Sequence, residues 1–151
     1  MAAYYFDSSA LVKRYVEERG SNHVERLLSD PATVVYVSRI AGAEVVAAVT
    51  RRARGGRVDE GQIADVVRAF REDFGVCYRV QEVTEQLGED AMDLAYRHAI
   101  RGYDAVHLAT ALDVNLLRRD RALPGLVFVS SDGDLNRAAR TEGLEVLDPH
   151  H

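Results

Sequence analysis

Short apolar runs alternate with amphipathic stretches along this chain. Ala2-Ala3-Tyr4-Tyr5-Phe6 has no polar break, the pattern of a strand buried on both faces. Asp7-Ser8-Ser9 supplies three helix N-cap residue types, and Leu11, Val12, Tyr15 and Val16 then recur at helical spacing. Gly20-Ser21-Asn22 ends that helix, and Val24, Leu27 and Leu28 mark another. Thr33-Val34-Val35-Tyr36-Val37 is continuous and β-branched, which predicts a second buried strand. Ile40 to Arg54 reads as a helix closed by Gly55-Gly56. Asp59 with Gln62 three residues on has the form of a capping box, and Ile63, Val66, Val67, Phe70 and Phe74 follow as a helical stripe. Val76-Cys77-Tyr78-Arg79-Val80 predicts a third strand. Leu87, Ala91, Leu94, Ala95 and His98 share one face of the next helix, which Gly102 separates from a helix over Asp104–Leu117. Leu126–Val129 predicts a fourth strand. Asp132 caps a helix through Arg140, Gly143 ends it, and Leu144–Leu147 predicts an edge strand.

This alternation implies an α/β fold: a central, mostly parallel, twisted sheet of four to five strands with helices on both faces. No linker or repeat interrupts it, so residues 1–149 are expected to form a single domain, with no function given to His150-His151. At 151 residues the chain can bury its own core. One cysteine, Cys77, excludes an intrachain disulfide and disfavours a thiolate zinc cage; the expected compartment is the cytoplasm. The longest charge-free run, Ala122–Ser131, is too short to cross a membrane, and the charged N-terminal region does not fit a signal peptide. Nineteen basic against 24 acidic residues give a net charge of −5, which taken alone counts against nucleic acid as partner. Of the nineteen cations only Lys13 is lysine; base composition explains the arginine bias as readily as phosphate binding does.

Four carboxylates stand in apolar surroundings. Asp7 directly follows the first strand and Asp132 the fourth, and ligand sites of open α/β sheets lie at the carboxyl ends of strands. Each also suits a plain helix cap. Glu44 is the only charge between Ile40 and Thr50, on a helix apolar all round, where a glutamate needs a partner, a cation or a partly exposed face. Asp104 is the sole carboxylate of Gly102–Leu112 and lies near a helix start, where the macrodipole alone favours an anion. His107, one turn on, suits a hydrogen-bonded structural histidine, or one that orients an acid or meets a phosphate. Four acids at one crevice repel unless their pKa values rise or cations hold them, and an all-oxygen donor set suits hard divalent ions.

At these residues the chain resembles the PIN domain, and within it the VapC-type toxin ribonucleases. The resemblance is carried by Tyr5–Tyr15, by Ser38-Arg39 leading to Glu44, by Tyr103–Leu112 and by Ser130-Ser131-Asp132. It implies that Asp7, Glu44, Asp104 and Asp132 form a catalytic, metal-binding quartet for Mg2+ or Mn2+. Ser9 and Ser130 would orient ligands or water beside them, with His107 as a supporting group and Asp134 as an extra acid or a solvated residue. The implied activity is divalent-metal-dependent endoribonuclease cleavage of RNA, leaving a 5′-phosphate and a 3′-hydroxyl. Arg14, Arg39 and Arg52 are candidate RNA contacts. The implied partners are a VapB-like antitoxin, whose tail lies in a groove lined by Leu11, Val12, Tyr15, Val16, Val24, Leu27 and Leu28, and a second copy in a homodimer. The alternative is a PIN-type RNA-processing nuclease or a non-cleaving binding module. A phosphorylation receiver would want a late lysine. A haloacid-dehalogenase-like phosphatase would want an aspartate where Ser9 stands.

Overall fold

The computed structural model describes residues 2–56 and 59–151. Five strands, β1 (Ala3–Phe6), β2 (Val34–Ser38), β3 (Arg79–Gln81), β4 (Val127–Val129) and β5 (Glu145–Leu147), form one sheet in the order β3-β2-β1-β4-β5. Every pairing is parallel, with Tyr5 opposite Tyr36 on one side and Phe128 on the other. The expected mostly parallel sheet is thus wholly parallel, because a helical crossover separates each pair of neighbours. All five carboxyl ends lie along one edge, with β1 in the middle.

The crossovers are α1 (Ser8–Leu11) with a 3₁₀ turn over Val12–Arg14, α2 (Ser21–Leu28), α3 (Ile40–Arg54), α4 (Glu60–Val76), α5 (Glu85–His98), α6 (Gly102–Asp120) and α7 (Gly133–Thr141). Strand side chains alternate between two cores. Tyr5, Tyr36 and Phe128 pack against α5, α6 and α7. Phe6, Val35, Val37 and Val129 pack against α1 to α4, including Phe70 and Phe74. A fully buried aromatic such as Phe128 contributes roughly 1.5–3 kcal/mol.

Four features differ from their sequence signatures. The helix expected through Val16 stops at Arg14, where the Tyr15 hydroxyl turns to Asp73 Oδ2 (2.8 Å) and to Tyr78. The strand expected from Val76 begins only at Arg79, because α4 runs on through Val76, whose side chain is 85% exposed. β-branched composition yields there to the continuing helical ladder. Asp59 occupies the N-cap of α4, but its side chain makes no capping bond, so the capping box does not form. The last long helix starts at Gly102 itself rather than beyond it.

Candidate active site

Asp7 is fixed by two neighbouring strand ends. Its Oδ1 accepts from Ala10 N (3.0 Å) and Ser9 Oγ (2.7 Å), and its Oδ2 accepts from Ser130 Oγ (2.7 Å). Asp7 N donates to Val129 O, and Ser131 N donates to Ser9 Oγ, so the ends of β1 and β4 are stitched together. Asp7 is therefore both a helix cap and a buried acid facing the sheet edge. Burial raises its pKa, while His107 and the two hydroxyls work against that rise.

Asp132 also does both jobs. Its Oδ1 caps α7 by accepting from Asp134 N (3.0 Å) and Leu135 N (3.1 Å), which leaves Oδ2 to face Arg101 Nη2 at 3.3 Å. Asp104 stands in the first turn of α6 with its side chain 10% exposed, and Arg101 Nε lies 3.4 Å from its Oδ2. Burial, then the charges of Asp132 and Asp7, raise the Asp104 carboxyl to about 6 against the pull of Arg101.

The charge on apolar α3 is met by a histidine. Glu44, 23% exposed, receives His107 Nε2 at Oε1 (2.6 Å) and Ser8 Oγ at Oε2 (3.1 Å). On its other side His107 Nδ1 lies 2.7 Å from the Tyr5 hydroxyl. The Glu44 carboxylate accepts from Nε2, and in the neutral imidazole this leaves Nδ1 to accept from the Tyr5 phenol, which burial keeps protonated. His107 is the buried, bonded histidine that its position suggested, and the side chain it holds is Glu44.

Asp7, Glu44, Asp104 and Asp132 line one cavity of about 840 Å³ together with Ser9. Their oxygens and mutual repulsion suit hard divalent cations, and the raised Asp104 carboxyl records the strain that a cation would relieve. Each acid is nonetheless held by its own partners, and among the described residues no three His, Cys, Asp or Glu side chains form a ready-made ligand cluster.

The arginines expected to meet RNA are placed elsewhere. Arg14 lies 4.0 Å from Asp73, Arg39 pairs with Glu82 over the Phe74 ring, and Arg52 pairs with Glu18. None lines the acid cavity; Arg51 and Arg101 do. Arg51 is two helical turns from Glu44 and so shares its face, whereas Arg52 is rotated by about 100°. Asp134, 81% exposed and paired with Arg137, lines an adjoining pocket of about 360 Å³ rather than the acid cavity. Of the expected antitoxin-groove residues, Leu11, Val12 and Val24 are buried, while Leu27 and Leu28 pack partly against the core. Tyr15 and Val16 do line a groove, of about 430 Å³, with Val49, Ile63 and Val66.

The PIN domain family matches residues 4–141. Ribonuclease VapC45 of Mycobacterium tuberculosis is 39% identical over 153 residues, covering 99% of this chain and 100% of the relative. Among solved structures, M. tuberculosis VapC20, described as a Sarcin-Ricin loop cleaving toxin, is similar with a TM-score of 0.64 and 20% identity, over 93% of this chain and 95% of that one. A toxin-antitoxin complex from Klebsiella pneumoniae is similar with a TM-score of 0.60 and 18% identity, over 97% of each chain. Among the described residues no helix is long and apolar enough to cross a membrane.

Proposed function

The chain belongs to the PIN domain family, in the branch of the VapC ribonucleases, and from that premise we propose that it is a divalent-metal-dependent endoribonuclease, the toxin of a toxin–antitoxin pair. The observation that carries the reading is the convergence of Asp7, Glu44, Asp104 and Asp132, from four separate segments, on one cavity.

Those four carboxylates would hold Mg2+ or Mn2+. When bound, the metal supplies Lewis-acid stabilisation of the phosphoryl oxygens and an activated water. The chain's own residues do the rest. Ser9 and Ser130 fix both oxygens of Asp7 by donating to them, so its remaining lone pairs keep one direction. His107 and Ser8 hold Glu44 from opposite sides. Arg51, at the wall, offers a guanidinium to the RNA backbone. The products are a 5′-phosphate and a 3′-hydroxyl.

The proposed setting is the cytoplasm, with residues 1–149 working as one domain, in a homodimer. A VapB-like antitoxin tail would occupy the groove of Tyr15, Val16 and Ile63 and reach toward the acids; similarity to a toxin-antitoxin complex supports this partner. The deciding experiment incubates purified protein with total cellular RNA and Mg2+ or Mn2+ and maps the cut ends. Discrete cleavage lost in Asp104→Asn supports the reading, and RNA left intact by the wild type rejects it. Growth arrest on expression, relieved by co-expressing a small neighbouring-gene product, separates a toxin from an RNA-processing nuclease.

A further inference from the structure

We propose that Arg101 is a built-in counter-ion of the acid site: it bridges Asp104 and Asp132 in the metal-free protein and must give way when a divalent cation loads. The inference rests on the reading that these acids hold a metal.

Asp104 and Asp132 come from different segments and repel each other. One guanidinium spans them, with Nε 3.4 Å from Asp104 Oδ2 and Nη2 3.3 Å from Asp132 Oδ2. Among the described residues no other cation stands within ion-pair distance of either acid. Arg101 thus occupies the electrostatic position that a cation between the two carboxylates would take. It also lines both the acid cavity and the adjoining pocket, so it stands where the two meet.

Its attachment is loose. Arg101 is the N-cap residue of α6, in extended backbone, and its side chain is 68% exposed. Neither ion pair is enclosed, and such pairs contribute little each. A divalent ion brings twice the charge to the same oxygens, so it wins the competition, but at a reduced affinity. The guanidinium also lies 5.5 Å from the centre of the exposed Tyr103 ring, a contact that does not depend on the acids.

The test titrates Mn2+ alone into the metal-free full chain by calorimetry and compares wild type with Arg101→Gln, Arg101→Lys and Arg51→Gln. Arg51 lines the same cavity without an ion pair to either acid, so it controls for the general loss of positive charge. Arg101→Gln is expected to bind Mn2+ about three- to tenfold more tightly. Arg101→Lys should fall between it and wild type, and Arg51→Gln should change less than about twofold. Equal or weaker binding by Arg101→Gln overturns the proposal, as does an equal gain in Arg51→Gln. Asp104→Asn separates the two levels. If it loses Mn2+ while Arg101→Gln matches wild type, only the counter-ion role falls. If wild type and Arg101→Gln both fail to bind Mn2+, the metal site itself is wrong and the counter-ion role falls with it.

Discussion

His107 Nε2 lies 2.6 Å from Glu44 Oε1, and the histidine is 1% exposed while the glutamate opens onto the acid cavity. The pair joins α6 to α3 at the carboxyl edge of the sheet, with Tyr5 closing the chain from behind. His107→Ala is expected to lower cleavage about 10- to 100-fold, the usual cost of losing a group that orients a metal ligand. It also strands the buried Tyr5 hydroxyl, at about 1–3 kcal/mol, measurable by urea denaturation. Tyr5→Phe keeps the ring stacked on Phe128 and should lower cleavage less than His107→Ala does.

Asp7→Asn and Asp104→Asn remove carboxylate charge without changing side-chain volume. Both should cut RNA at least roughly a thousandfold more slowly while retaining the wild-type circular dichroism spectrum. Unchanged cleavage by both variants would falsify the site assignment.

Chelation supplies an independent check. EDTA should abolish cleavage, and Mg2+ or Mn2+ added in excess should restore it. A thermal melt followed in parallel should rise with either ion, since binding to the folded state alone stabilises it. Full activity in chelator sinks the metal assignment.

The raised Asp104 carboxyl predicts a pH effect on the metal-free protein. Its folded value of about 6 exceeds the ordinary 3.8, so between those values the folded state binds more protons than the unfolded one. Stability contributed by that proton is complete below pH 3.8 and is lost as pH rises through 6. Asp104→Asn carries no such penalty. At pH 7.5 without metal it should be more stable than wild type by about 1 kcal/mol, after allowing for solvent screening at the cavity mouth. At pH 4 the difference should shrink, and saturating Mg2+ should reverse it; paired melts at both pH values read the result.

Arginines at and away from the cavity should separate on RNA. Arg51→Ala is expected to weaken RNA binding and to reduce the slope of log affinity against log salt by about one. Arg39→Ala, which breaks the exposed pair with Glu82 at the far edge of the sheet, should leave the slope unchanged. Salt titrations with a catalytically silent Asp104→Asn background keep the RNA intact.

The central strands were legible because Tyr4-Tyr5-Phe6 and Val34–Val37 are continuous apolar runs, which only a strand covered on both faces requires. The edge was less legible. Val76-Cys77-Tyr78 has strand composition, yet α4 keeps Val76 and an edge strand of three residues suffices for pairing. The acids stood out because a lone charge in an apolar helix is costly. Glu44's partner did not, since His107 is 63 positions away and meets it only through the packing of α3 against α6. That Arg52 falls outside the cavity has a similar reason. Arg52 differs from Arg51 by one residue, but that step rotates it away from Glu44's face toward Glu18.

The tie between Asp7 and Ser130 spans 123 residues. In chain order α1 to α6, β2 and β3 all stand between β1 with Asp7 and β4 with Ser130 and Asp132, so the amino-terminal strand is made well before its β4 neighbour. Until β4 is in place, Asp7, Glu44 and Asp104 lack Asp132 and the Ser130 hydroxyl that fixes Asp7 Oδ2, although β2 can already pair with β1. The pocket is therefore complete only once the two ends of this long loop have met, which ties the geometry of Asp7 to closure of the whole sheet.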